Sequence, residues 1–210
     1  MSLIQTLRET AVVPVLTIEQ VEDAVPLARA LVAGGIRVLE ITLRTAAALE
    51  AMKAIAAEVE GAVVAAGTVL NEKDAERAAA HGAKFAFSPG ATPALLKAKI
   101  LPLVPGVATA SDIMAGLDQG YALFKLFPAV AVGGVGALKA FAGPFANVRF
   151  CPTGGIDAAN AGAFLALNNV VAVGGSWLAP APLIREGRWS EVTQLARTAA
   201  ALKPASRAAP

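Results

Sequence analysis

Short apolar runs alternate along the chain with longer mixed segments, and glycine, proline or asparagine stands at most of the joints. Residues 12–17 predict a first strand and 18–33 a helix stopped by Gly34-Gly35, with Pro26 expected to kink it or reset its start. Strands two and three fall at 38–43 and 62–66, separated by a helix over 46–59 that Gly61 ends. Asn71 caps a helix running to His81. A fourth strand at 84–87 leads through Ser88-Pro89-Gly90 to a short helix from Thr92. A fifth at 100–104 leads through Pro105-Gly106 to a helix from Ser111. The sixth is the run 122–129, followed by a helix over 135–141 and a seventh strand at 147–152. Thr153-Gly154-Gly155 opens a helix over 157–167, and residues 170–173 form the eighth strand. Residues 181–202 read as helix and 203–210 as a frayed end.

Strands alternating with helices imply parallel pairing with crossovers, and about eight such units make a (β/α)8 barrel. The expected fold is therefore α/β, one (β/α)8 TIM barrel with an N-terminal helix, spanning residues 1–210 as a single domain. A doubly wound open sheet is the rival, but no strand-linked GxGxxG fingerprint is present.

The sixth run changes the picture. Ala122-Leu123-Phe124-Lys125-Leu126-Phe127-Pro128-Ala129 sets one lysine inside an apolar strand. Burying an ammonium is costly, and the neutral amine that burial favours is a nucleophile able to form a Schiff base. The competing reading is a lysine that snorkels out or pairs with a carboxylate. In Val38-Leu39-Glu40-Ile41-Thr42-Leu43-Arg44, strand alternation puts Glu40, Thr42 and Arg44 on the face opposite Leu39, Ile41 and Leu43. Glu40 and Arg44 then point into or over the barrel mouth, where Lys125 can approach them if its face is the inner one, either as a plugging ion pair or with Glu40 as a proton shuttle. Gly154-Gly155 and Gly174-Gly175-Ser176 follow strands seven and eight, where barrels often hold phosphate on backbone N–H groups.

Composition narrows the partners. The 210 residues are 56% hydrophobic and 16% charged, against ~25% charged in an average domain, with a net charge of +2 from scattered basic groups. That argues against nucleic acid and against a charged membrane surface. Residues 158–184 carry no charge, yet Asn168-Asn169 falls where a membrane span would be deepest. One histidine (His81) and one cysteine (Cys151) give no histidine–cysteine metal cluster; His81 reads as an exposed cap and Cys151 as packing. The start of the chain lacks signal-peptide features, and a cytoplasmic location is expected.

Taken together, Val12-Val13-Pro14-Val15, the 38–45 strand, Ala66-Gly67-Thr68-Val69-Leu70, Phe87-Ser88-Pro89-Gly90, Phe124-Lys125-Leu126-Phe127-Pro128-Ala129, Arg149-Phe150-Cys151-Pro152-Thr153-Gly154-Gly155 and Gly174-Gly175-Ser176-Trp177-Leu178 resemble the 2-keto-3-deoxy-6-phosphogluconate (KDPG) aldolase family, which also covers 4-hydroxy-2-oxoglutarate aldolase activity. The resemblance runs nearly end to end and implies a (β/α)8 class I aldolase, typically a homotrimer, with neither metal nor cofactor. It implies Lys125 as the Schiff-base lysine and Glu40 as the general acid and base. Arg44 and Thr68 match positions that hold the pyruvate carboxylate, and Pro89 and Phe127 match pocket walls. Thr153 matches a position lining the aldehyde side; Gly154, Gly155, Gly174, Gly175 and Ser176 match the phosphate end. The implied substrate is a phosphorylated keto acid, KDPG itself, with its galactonate epimer and 4-hydroxy-2-oxoglutarate as alternatives. A phosphate-sugar isomerase without a covalent intermediate is a further alternative. The pathway implied is Entner–Doudoroff sugar-acid breakdown or something narrower. Val130-Ala131-Val132 departs from the more polar segment, beginning with glutamate, expected after Ala129.

Overall fold

The computed structural model describes residues 2–205. Local chemistry sets many element boundaries. The side chains of Ser2, Asn71, Thr92 and Thr109 each accept a hydrogen bond from a first-turn N–H, starting α1 (Leu3–Thr10), α4 (Glu72–Ala80), α5 (Pro93–Ala98) and α6 (Ala110–Leu117). At α6, Asp112 returns the bond to the Thr109 N–H, completing a capping box.

The remaining helices are α2 (Val21–Ala33), α3 (Ala48–Glu58), α7 (Gly134–Ala142), α8 (Ala161–Leu165), α9 (Ala181–Arg185) and α10 (Trp189–Ala200). The strands are β1 (Val12–Leu16), β2 (Val38–Thr42), β3 (Val63–Gly67), β4 (Phe85–Phe87), β5 (Leu103–Val104), β6 (Gly106–Val107), β7 (Leu123–Leu126), β8 (Arg149–Phe150) and β9 (Val173–Gly175).

All strand pairs are parallel. One sheet runs β5-β4-β3-β2-β1-β9 and a second runs β6-β7-β8. Pro105, with no N–H to donate, separates β5 from β6; its carbonyl still accepts from Lys125 N at 2.9 Å. Single parallel bridges, Phe150↔Val170 and Thr153↔Gly174, link the end of the second sheet to the segment carrying β9.

Alternation along the strands sorts two cores. Leu39, Ile41, Val64 and Ala66 pack with helix residues such as Leu27, Leu31 and Met52. Val13, Val38, Ala65, Phe85, Phe87, Val104, Leu123 and Cys151 form a second cluster on the opposite strand faces, joined by Leu7 of α1. The outer and inner assignments made for 38–43 are thus observed.

Several boundaries differ from expectation. The last strand begins at Val173 and contains Gly174 and Gly175 instead of preceding them, because it pairs residue for residue with Val12–Pro14. Helix α8 is five residues, a turn occupying 158–160 in place of helix from 157. Residues 181–202 form two helices, because Gly187 takes a left-handed φ of 62° between them. Helix α2 runs from Val21 through Pro26 with no reset. Of the expected frayed end, 206–210 lie outside the described residues. Among the described residues no helix is long and apolar enough to cross a membrane, and the uncharged stretch 158–184 holds only α8, β9 and part of α9.

Candidate active site

Lys125 and Glu40 occupy facing positions of β7 and β2. Lys125 Nζ donates to Glu40 Oε1 at 2.9 Å, and the two residues are 3% and 1% exposed. Apolar walls hold the pair: Lys125 Nζ lies 5.4 Å from the ring centre of Phe87 and 5.3 Å from that of Phe127. Glu40 thus pairs with the lysine, not with Arg44. Its second oxygen, Oε2, is buried and makes no hydrogen bond among the described residues, an arrangement that is costly unless a ligand or a proton uses it.

The carboxylate is seated against Gly67 at the end of β3. A Cβ there would meet Glu40 Oε1 at 2.5 Å and Cγ at 2.8 Å, so only glycine admits the side chain in this pose. Gly174 does the same for Thr153, whose Oγ1 would lie 2.2 Å from an added Cβ. A glycine inside a strand marks a close approach of this kind.

Arg44, exposed just beyond β2, donates from Nε to Thr68 Oγ1 at 3.1 Å. Thr68 holds a left-handed φ of 59°, a strained conformation for a β-branched residue. A cavity of about 290 Å³ opens over these strand ends. Arg44, Lys125, Phe127, Thr153, Gly154, Gly155, Gly175 and Ser176 line it, eight of the expected site residues. Gly174 lies one residue below the wall under Thr153, Glu40 behind Lys125, and Thr68 behind Arg44. Pro89 stands apart, packed where a Cβ on Gly106 would strike its carbonyl at 2.3 Å. Val15, Thr17 and Ile156 also line the cavity and were not anticipated. For Val15 and Thr17 the signal was available, since both share the alternation of β1 that faces Val13 inward.

Cys151 lies in the second core cluster beneath the pair. Burial, then the Glu40 charge, pushes its thiol up to about 12, against smaller opposing effects of Lys125 and the Thr153 hydroxyl. It is protonated at neutral pH and unsuited to nucleophilic work. His81 caps α4 by placing Nδ1 2.7 Å from the Arg77 carbonyl, and is half-buried, not exposed. Among the described residues no three His, Cys, Asp or Glu side chains come together as metal ligands would.

A family model described as KDPG and KHG aldolase matches residues 3–195. The chain belongs to the KDPG and KHG aldolase family. Within it, the chain is 54% identical to the KHG/KDPG aldolase of Escherichia coli K12, covering 90% of each protein. It is also 54% identical to the 2-dehydro-3-deoxy-phosphogluconate aldolase of Dickeya dadantii, covering 94% of each. Among solved structures, KDPG aldolase from Legionella pneumophila superposes with a TM-score of 0.92 at 44% identity, over 97% of this chain and 98% of that one. That crystal holds pyruvate as a covalent carbinolamine intermediate. The Zymomonas mobilis enzyme with 3-phosphoglycerate gives a TM-score of 0.90 at 49% identity, over 97% of each chain.

Proposed function

We propose that this family member is a class I aldolase that cleaves 2-keto-3-deoxy-6-phosphogluconate to pyruvate and glyceraldehyde 3-phosphate. The observation that carries the reading is the Lys125–Glu40 pair, a primary amine and a carboxylate 2.9 Å apart in an apolar setting beside a cavity. An amine so placed suits carbonyl addition, and a carboxylate with one idle oxygen suits proton transfer.

The chemistry runs through Lys125. With the shared proton on Glu40, the free amine adds to the C2 carbonyl and a proton moves from nitrogen to oxygen, giving a carbinolamine. Glu40 protonates that hydroxyl, water leaves and an iminium forms. The Glu40 carboxylate then takes the proton of the C4 hydroxyl. The C3–C4 electron pair moves into the iminium, releasing glyceraldehyde 3-phosphate and leaving an enamine. Glu40 returns its proton to C3, and water hydrolyses the new iminium to pyruvate and free Lys125.

Arg44 and Thr68 hold the substrate carboxylate. Phe127 walls the pocket, and Thr153 faces the aldehyde half; Pro89 packs against Gly106 away from the cavity. Gly154, Gly155, Gly175 and Ser176 receive the phosphate, while Gly174 lies beneath Thr153 with its N–H donated to the Pro152 carbonyl. The two sheets are read as arcs of one closed (β/α)8 barrel forming a single domain, a reading supported by the chain continuity across Pro105 and the bridges at Phe150 and Thr153. By the same reading the enzyme works as a cytoplasmic homotrimer without metal or cofactor.

The test is incubation with pyruvate and sodium borohydride, followed by peptide mass spectrometry. A reduced adduct on Lys125 is expected. Folded protein without any adduct refutes the class I mechanism, and an adduct on another lysine refutes the site.

A further inference from the structure

Two threonines beside the cavity carry hydrogens that can be counted. Thr42 is fully buried, and its hydroxyl lies 2.9 Å from the carbonyl oxygen of Leu16. A carbonyl only accepts, so the single hydrogen of Thr42 is committed there. Thr42 Oγ1 also lies 3.3 Å from Thr17 Oγ1, and in that contact Thr17 must be the donor. Thr17, exposed and on the cavity wall, turns its one hydrogen towards the protein in this arrangement. What it offers a ligand is a lone pair. The charged side chains on the same wall, Arg44 and Lys125, are both donors.

Its height matters as well. Val15 is the register partner of Glu40, and Thr17 is two residues further on, about 7 Å nearer the cavity mouth on the same strand face. On the aldolase reading, Glu40 works on the C4 hydroxyl, so the acceptor of Thr17 meets the chain beyond C4.

We infer that Thr17 is a specificity-determining residue that accepts a hydrogen bond from the C5 hydroxyl of the substrate. The inference rests on the function proposed above. A polyhydroxy phosphorylated chain offers a donor at C5. 4-Hydroxy-2-oxoglutarate has a carboxylate there, which sets acceptor against acceptor and disfavours it. The buried Thr42–Leu16 bond leaves the Thr42 oxygen as an acceptor for the Thr17 hydrogen, which favours the Thr17 lone pair outward, so Thr42 acts at one remove as a positioning residue.

The experiment measures kcat/KM for KDPG and for 4-hydroxy-2-oxoglutarate on wild type, Thr17→Val, Thr17→Ser and Thr42→Val. In Thr17→Val the ratio of the two should fall about 10-fold, the size of one neutral hydrogen bond, mostly through loss on KDPG. Thr17→Ser restores the ratio to within about 2-fold of wild type, because it keeps the hydroxyl. Thr42→Val, which touches no substrate, lowers the ratio by freeing the Thr17 hydrogen for the carboxylate. A general loss of folding lowers both rates and leaves the ratio alone. A Thr17→Val ratio within about 2-fold of wild type, with wild type active on both, overturns this inference only. Wild type that cleaves neither substrate overturns the aldolase reading along with it.

Discussion

A methyl group on Gly67 would stand 2.5 Å from Oε1 of Glu40, the oxygen that accepts from Lys125. The end of β3 therefore fixes where the carboxylate sits. Gly67→Ala should displace it by a fraction of an ångström to an ångström and lower kcat by about 100-fold. Steady-state kinetics checks this, with the borohydride adduct on Lys125 still forming because the amine is untouched. A kcat within about 3-fold of wild type would show that the seat does not control the carboxylate.

Removing one member of the buried pair leaves the other charge without a partner. Lys125→Met and Glu40→Leu should each abolish turnover. Lys125→Met should also cost about 3–5 kcal/mol in urea denaturation, since the carboxylate remains buried and uncompensated. The double variant Lys125→Met/Glu40→Leu should recover most of that stability while staying inactive. A double variant no more stable than Lys125→Met would mean that the charge was never the problem.

Thr68 combines a strained backbone with the contact to Arg44, so the two roles can be separated. Thr68→Gly relieves a left-handed φ of 59° and should stabilise the protein by about 1 kcal/mol. It also removes the hydroxyl that holds Arg44 Nε at 3.1 Å, and the KM for pyruvate in the condensation direction should rise several-fold. Calorimetry and condensation kinetics on one sample give both numbers. A lower melting temperature would show that the hydrogen bond outweighs the strain.

The thiol of Cys151 makes stability depend on pH at the alkaline end. In the unfolded chain it ionises near 9.0, whereas in the fold burial and the Glu40 charge keep it protonated to about 12. The unfolded state then loses its proton first, so stability is full below pH 9 and falls as pH rises towards 12. This thiol alone should cost about 1 kcal/mol between pH 9 and pH 10. Denaturation at the two pH values, compared with Cys151→Ala, isolates it; equal slopes would remove the thiol from the account.

Much of this was readable from residue order, and the exceptions have physical causes. Period-two alternation placed Glu40 on the inward face, because a one-residue slip would turn every side chain of the strand towards the wrong core. The cap at Asn71 was equally plain, since its side chain replaces a missing backbone partner. Gly174 and Gly175 were misread as a loop because glycine marks both turns and close packing. Only the neighbouring Thr153 and Trp177, which an added Cβ would strike at 2.2 and 1.8 Å, decide between them. Gly187 sits inside a helical pattern, and its left-handed φ of 62° separates α9 from α10. Thr17 escaped notice because a threonine at a strand end resembles any loop residue, and its meaning depends on which hydroxyl of a pair already holds a hydrogen.

The amine and the carboxylate that meet at 2.9 Å are 85 residues apart in sequence. No fragment ending before residue 125 holds both groups, and a nascent chain cannot begin catalysis until β7 has reached its place across from β2. Loop closure over such a span comes late in assembly. Regained turnover after dilution from denaturant is therefore a clock for long-range order, running behind any probe that reads helix content alone.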